Sequence, residues 1–460
     1  METLKKVDMA KTKTAYFCRA CGAESPKWLG RCPACGEWNT MVEEPVAKNT
    51  GKTSRADGTA AVPVHLDEVE ELQGTRIDLH NGELNRVLGG GMVKGSLILL
   101  GGEPGIGKST LALQVALKME GKTLYVSGEE SLQQIKMRAT RTGRLPSPCW
   151  FLNETSLEDI LQQCKALQPE FVIIDSIQTL NSAHIDSSAG SVSQIRECAA
   201  GLLQYAKQTG TSVMLIGHIT KDGILAGPKI LEHIVDVVLQ FEGDSRQIYR
   251  VLRALKNRFG STSELGVFEM NDTGLREVPN PSEILIQTHS DDLSGVAVGA
   301  GMDGIRPFLI EVQALVSSAV YGTPQRSCTG FDGRRLNMLL AVLEKRIGFK
   351  LASQDVFLNM VGGMKIDDPS IDLAVLAAIL SSSLDMSIPC TWCFAGEIGL
   401  SGEIRPVSRI GQRIREAEKA GFTKIFVASS GHENPPADTS IQVVRLRRVE
   451  ELVKGLKGML

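Results

Sequence analysis

One short segment constrains this chain more than any other: Gly102-Glu-Pro-Gly-Ile-Gly107-Lys108-Ser109. It fits the spacing G-x-x-x-x-G-K-[ST], and its flanks matter as much as its letters. An apolar run, SLILLG (96–101), precedes it, and a helical pattern at 108–119 follows it. A strand that turns into a helix this way aims successive backbone N–H groups at one point, where the helix N-terminus adds positive partial charge. Glycines permit the curl because a Cβ resists the backbone angles it needs. The segment predicts a phosphate cradle made by Gly102, Glu103, Pro104, Gly105, Ile106, Gly107, Lys108, Ser109 and Thr110. Lys108 is expected at the β- and γ-phosphates of ATP, and Ser109 at Mg²⁺.

The surrounding sequence supplies the setting. Strand-like runs TLYVSG (123–128), FVIID (171–175) and SVMLIG (212–217) alternate with helical patterns at 130–142, 156–167 and 191–208. Strands separated by crossover helices imply an α/β block with a mostly parallel sheet. Four apolar residues ending in Asp175 deliver a carboxylate to the C-terminal edge of that sheet, where ligands of open α/β sheets bind. Asp175 is therefore the expected Walker B carboxylate, sharing Mg²⁺ with Ser109. Glu129, in YVSGEES, is the candidate general base, and Glu130 beside it could exchange roles with it. His218, in GHITKDG, reads either as a γ-phosphate sensor or as a solvent-facing loop residue. The runs VDVVLQFE and YRVLRALKNRF extend the sheet after the core.

Four of the ten cysteines fall close together as Cys18-x2-Cys21 and Cys32-x2-Cys35. Two such turns close a tetrahedral S4 site with no open position, which suits structural Zn²⁺. Gly22 and Gly36 follow the second cysteine of each pair and permit the tight knuckle. Two disulfides are the alternative, disfavoured because no export signal is read. Cys149, Cys164, Cys198 and Cys328 read as core. Cys390 and Cys393, in PCTWC, read as buried structural thiols rather than a redox pair.

The composition excludes several classes. At 42% hydrophobic and 22% charged, the chain is ordinary for a globular protein. Net charge is −3, so any nucleic-acid surface must be local. Aromatics at 5% argue against stacking as the dominant mode of binding. The longest nearly apolar stretch, 371–380, contains Asp372 and is too short to span a bilayer. METLKKVDMAKTKTAYF has lysines but no apolar core, so a cytoplasmic location and no membrane partner are expected. The expected organisation is a zinc knuckle over 1–42, a polar linker over 43–64, an ATPase block over 65–284 and a second α/β domain over 285–460.

These parts together carry a resemblance. A C4 zinc knuckle, the segments LGGGMVKGSLILLGGEPGIGKSTL, YVSGEES and GHITKDG, the pentapeptide Lys256-Asn257-Arg258-Phe259-Gly260 and a Lon-protease-like region follow one another. In this order the chain resembles, over nearly its whole length, the RadA (Sms) family of bacterial DNA repair and recombination proteins. The resemblance implies a RecA-like ATPase core, a hexameric ring, ATP hydrolysis and single-stranded DNA binding. It further implies branch migration of recombination intermediates with RecA, in an organisation similar to replicative ring helicases. Lys256 and Arg258 lie at i, i+2, on one face if the segment is a strand. That pair could contact phosphates of DNA, or of ATP across a subunit boundary, with Asn257, Phe259 and Gly260 completing the motif.

The last region departs from an active Lon protease. Lon-type catalysis pairs a serine nucleophile with an amine of lowered pKa. Ser370, in DDPSID, occupies the nucleophile position. An ungapped reading puts Gly411 where the lysine should be, so Ser370 reads as inert; Lys365 or Lys419 could substitute only by unusual geometry. Arg334, Arg335, Arg405, Arg409, Arg413 and Arg415 could form a basic DNA surface or simply solvated helix faces. The competitors to a DNA motor are a peptidase resting on Ser370 and a scaffold whose assembly alone needs ATP, with the knuckle recruiting DNA or a protein.

Overall fold

The structure is a computed structural model that describes residues 13–18, 23–34, 36–46, 65, 67, 76–142, 148–218, 230–243, 249–280, 282–286, 293–319, 324–361, 366–431 and 438–457. The chain divides into two compact units, with the main changeover between Glu277 and Val278, ahead of the boundary expected at 284/285.

The first unit is built on a nine-stranded sheet. Its order is Gly274–Glu277, Leu265–Asn271, Tyr249–Asn257, Val237–Glu242, Leu97–Gly102, Ser212–His218, Phe171–Asp175, Thr123–Ser127 and Cys149–Asn153. From Val237–Glu242 to Cys149–Asn153 the pairings are parallel. Tyr249–Asn257 then runs antiparallel to Val237–Glu242. Leu97–Gly102 is buried at every position, as a central strand covered on both faces must be.

The period of two decides which residue faces which layer. Ile98, Leu100, Tyr125, Ile173 and Ile216 pack on one face with Leu111, Val115, Ile135 and Ala139. Leu97, Leu99, Val126, Ile174 and Leu215 pack on the other with Ile160, Cys164, Cys198 and Leu202. Helices Lys108–Lys118 and Leu132–Arg141 thus cover one face, while Leu157–Leu167 and Val192–Thr209 cover the other. This is a doubly wound α/β layer, consistent with the alternation in the sequence. Cys149–Asn153 escaped the sequence reading because an edge strand has one covered side; Trp150 is exposed and Cys149 only partly buried. Cys149 and Cys328 are half-buried and pack against the core clusters, whereas Cys164 and Cys198 are buried within one.

At the N-terminus, Lys13–Cys18 lies between Glu24–Ser25 and Met41–Val46, both antiparallel to it. Residues 43–46, expected in the linker, instead finish this small sheet. Pro45 is tolerated there because the strand is an edge and its missing N–H breaks no ladder.

The second unit has a seven-stranded mixed sheet. Its order is Arg326–Thr329, Gln354–Met360, Arg306–Ser318, Val296–Asp303, Trp392–Ala395, Lys424–Ala428 and Gln442–Leu446. Helix Asp372–Leu384 is buried from Asp372 to Ser381 and packs on one face. Helix Ile410–Lys419 covers the other through Ile410, Ile414 and Ala417. Glu397–Ile398 and Ile404–Arg405 form a hairpin. Cys393 is buried but Cys390 is exposed, because only Cys393 lies inside the strand. Among the described residues no helix is long and apolar enough to cross a membrane.

Candidate active site

The phosphate segment joins strand Leu97–Gly102 to helix Lys108–Lys118. Gly107 has φ +115°, and a Cβ there would meet Met270 Cε at 2.8 Å, so only glycine fits. No side chain caps the helix start, which leaves its first N–H groups for an anion. Lys108 is buried, and its Nζ donates to Gly102 O at 2.8 Å and Glu103 O at 2.9 Å. Burial pushes its ammonium down to about 8, against the pull of Asp175, Glu129 and Glu103. A buried cation resting on two carbonyls beside an uncapped helix start fits a phosphate group. Glu103, Pro104 and Gly105 form the exposed crest of the loop, Ile106 anchors it from below, and Thr110 is half-buried in the first helical turn.

Neighbouring strands bring the acids to the same edge. Asp175 ends its strand and is buried; Ser109 Oγ donates to its Oδ1 at 3.1 Å. A serine hydroxyl and a carboxylate in contact are a fitting pair of oxygen ligands for Mg²⁺. Glu129 follows the strand that pairs with Phe171–Asp175, is exposed, and its Oε1 accepts from Ser176 Oγ at 2.6 Å. Glu130 instead pairs with Arg138 at 3.0 Å. The backbone of His218 lies level with Gly102 on the adjacent strand; its side chain lies outside the described residues.

Sequence reasoning missed Tyr125. Its hydroxyl, fully buried, donates to Asp175 Oδ2 at 2.5 Å, and Arg138 Nη2 approaches that hydroxyl at 3.5 Å. Burial and the Asp175 charge push the phenol well above its ordinary value, so it stays a donor. A tyrosine inside a strand otherwise made of small and aliphatic residues was the available signal.

The pentapeptide 256–260 lies elsewhere. Asn257 is opposite Val237, and Val237 is level with Ile98, near the start of the phosphate-loop strand. The loop begins at the other end of that strand, about 13 Å away at ~3.3 Å per residue. Lys256 Nζ caps helix Ile230–Ile234, donating to Glu232 O at 2.7 Å and Val235 O at 2.8 Å. Burial and the nearby Arg258 hold its ammonium below the ordinary value. Arg258 lies past the strand end, so the one-face expectation for the pair fails: Asn257 Oδ1 accepts from Phe259 N and turns the chain. Arg258 is 56% exposed and reaches the buried Asp236 at 3.4 Å. Arg76 Nη2 donates to Phe259 O at 2.6 Å, and Gly260 lies against Gly89.

In the small N-terminal sheet, Cys18 and Cys32 are buried in one cluster with Met41. Gly36 N donates to Cys32 O at 2.9 Å in a tight knuckle, with Gly36 at φ +80°. Cys21 and Cys35 lie outside the described residues. Two buried thiols in one small cluster, one followed by this knuckle, fit a thiolate-bound metal.

Known families match three separate stretches of the chain. Residues 16–43 match the rubredoxin metal binding domain, 75–223 an AAA domain and 313–431 the subunit ChlI of Mg-chelatase. The chain is 47% identical over 457 residues to DNA repair protein RadA of Bacillus subtilis, covering 98% of this chain and all of that one. It is likewise 47% identical over 456 residues to DNA repair protein RadA of Listeria monocytogenes, covering 97% and 98%. The chain belongs to the RadA family of DNA repair proteins. Among solved structures it is similar to the RadB recombinase, at 22% identity and a TM-score of 0.36, over 44% of this chain and 99% of that one.

The second unit of this RadA-family chain holds a polar cluster of its own. Ser370 is buried, and its Oγ accepts from Arg413 Nη1 at 2.7 Å and donates to Ala300 O at 3.1 Å. Arg413 Nη1 also reaches Ala300 O and Asp368 Oδ2, each at 2.8 Å. Burial pushes the Asp368 carboxyl up, but the charge and hydrogen bond of Arg413 outweigh it and hold the group below its ordinary value. The cation facing Ser370 is thus Arg413, one of the arginines expected on a basic surface or a solvated helix face. Lys365 lies outside the described residues. Arg335 is also committed inward, gripping the buried Asp372 through Nε at 2.6 Å and Nη2 at 2.5 Å.

Proposed function

We propose that this RadA-family chain is an ATP-driven motor on single-stranded DNA, acting as a ring of copies, a homo-hexamer. It promotes branch migration and processing of recombination intermediates, with RecA recombinase and branched DNA as partners in the cytoplasm. One observation carries the coupling: the 256–260 motif sits at the opposite end of the phosphate-loop strand from the loop itself. Its exposed Arg258 is out of reach of its own nucleotide, which leaves DNA phosphates or a neighbour's ATP as its targets.

Within one subunit, the loop from Gly102 to Thr110 wraps the phosphates through backbone N–H groups. Lys108 leaves its two carbonyls and takes the β/γ-phosphate oxygens. Ser109 and Asp175 hold Mg²⁺, which when bound neutralises phosphate charge. Tyr125 fixes Asp175, while Ser176 orients Glu129 to take a proton from the attacking water. Cys18, Cys21, Cys32 and Cys35 hold one Zn²⁺ per chain, in a module separate from the ATPase core. The second unit is a scaffold without peptidase activity.

The deciding experiment is steady-state ATP hydrolysis with and without single-stranded DNA at two salt concentrations. Stimulation that weakens with salt is expected. Hydrolysis indifferent to DNA overturns the motor and favours a scaffold.

A further inference from the structure

Two of the chain's four tryptophans stand in water on the N-terminal ribbon: Trp28 is 55% exposed and Trp38 67%. Neither belongs to the ribbon's small core of Cys18, Cys32 and Met41. They are neighbours. A Cβ built on Gly30 would lie 3.7 Å from Cη2 of Trp28 and 3.9 Å from Cζ3 of Trp38, so the two indoles flank one bare stretch of backbone. Arg31 pairs with Trp38 in an isolated bridge, its guanidinium 5.8 Å from the ring centroid and its Nε donating to Gly36 O at 2.8 Å. Lys27 and Arg31 are both exposed, and Glu37 is the exposed acid of the same stretch.

We propose that Trp28 and Trp38 form a stacking platform for the bases of single-stranded nucleic acid, with Lys27 and Arg31 on its phosphates. The inference rests on the reading that this chain works on single-stranded DNA, and it assigns the ribbon a direct share in that contact. Exposed indoles on so small a module mark a binding surface, because large apolar groups left in water otherwise disfavour the free state. The chemistry then selects the occupant. Indole faces stack any base, and interleaved cations track a phosphate backbone. Among the described residues, Leu29, 38% exposed, is the lone aliphatic side chain among the exposed large hydrophobics of this surface, where a protein anchor site would bring a larger apolar cluster. A 5% aromatic content does not oppose the idea, since two rings placed side by side are enough.

The test uses the full chain carrying Trp150→Phe and Trp392→Phe, so that the remaining indole emission comes from the ribbon. Titration with oligo-dT of about 16 nucleotides, near the upper site size for one binding module, is expected to quench that emission. Trp28→Ala and Trp38→Ala are each expected to weaken oligo-dT binding roughly 5- to 150-fold, the range for losing one stacked base. Trp38→Phe should keep most of the affinity, and zinc content by metal analysis should match the parent in every variant. Oligo-dT that binds with unchanged emission and equal affinity in both alanine variants overturns the platform and leaves the motor standing. So does a double alanine variant that keeps its DNA affinity but loses a protein contact. A full chain with no affinity for oligo-dT overturns the motor reading itself, and the platform with it.

Discussion

The two units each gather a serine, an aspartate and a cation, and they use them in opposite ways. In the first, Ser109 touches Asp175 while Lys108 rests on two carbonyls of its own loop, beside a helix start that no side chain caps. In the second, Ser370 is enclosed by Arg413, which also binds Ala300 O and Asp368 and donates from Nε to Ser408 O at 3.1 Å. Lysine is a compact cation on a flexible stem that can exchange carbonyls for phosphate, and burial has already brought it to about 8. Arginine keeps its proton at any working pH and cannot take one from a serine. Residue types alone do not make a site. What separates these clusters is whether any group is left to meet a ligand.

The largest effect that tests this contrast is Lys108→Ala, which should leave no measurable ATP turnover in a phosphate-release assay; removing a single stabilising donor already costs about 10²–10³-fold. A variant with half the parent rate would break the assignment. The same lysine predicts a pH dependence. Phosphate keeps the ammonium protonated, while the free site loses that proton near pH 8. Nucleotide affinity should therefore fall as pH rises above about 8, by up to about tenfold per unit. Affinity that stays flat to pH 9.5 would place the lysine outside the phosphate contact. Next in size is Arg413→Ala, which takes the cation from Asp368 in the second unit and leaves that carboxylate only the N–H groups of Met302 and Ser370. Breaking a buried pair in this way costs about 3–5 kcal/mol, read as a lower midpoint in urea unfolding. A midpoint equal to the parent's would show that the cluster does not hold the fold.

Much of the first unit was legible because central strands are covered on both faces and write themselves as apolar runs, FVIID and SVMLIG among them. The edge strand Cys149–Asn153, covered on one side, does not. Lys108 and Ser109 could be placed because a strand–turn–helix junction sets them by local spacing, and Asp175 because it ends an apolar run. Tyr125, on the strand beside Asp175, is brought to it by register, which a single sequence does not display. Arg413 was half legible. It lies on the stripe Ile410, Arg413, Ile414, Ala417, all buried, and an arginine on an apolar stripe needs an interior partner. The 256–260 motif was recognisable as letters, but its distance from the phosphate loop follows only from the antiparallel return of Tyr249–Asn257.

A smaller effect sharpens the first half of the contrast. Tyr125→Phe removes the hydroxyl that fixes Asp175 Oδ2 and keeps the ring in its packing. A hydrogen bond to a charged group is worth about 1.5–3 kcal/mol, so turnover at limiting Mg²⁺ should drop roughly tenfold or more. Raising Mg²⁺ should recover much of the loss, with nucleotide binding unchanged. A purely structural role would instead lower the unfolding midpoint and leave the Mg²⁺ dependence as it was.

The smallest effect belongs to Ser370→Ala, and it is the one that could break the comparison outright. The serine gives one hydrogen bond to Ala300 O and receives one from Arg413, so its loss should cost only about 1 kcal/mol of stability. ATP turnover should not change. Casein incubated with ATP should survive equally in the parent and in the variant, because the group facing the hydroxyl is a guanidinium that cannot act as a base. Casein degradation by the parent, abolished in Ser370→Ala, would mean that Arg413 leaves the serine during the cycle. The second cluster would then, like the first, have a group left to meet a ligand once its cation moves.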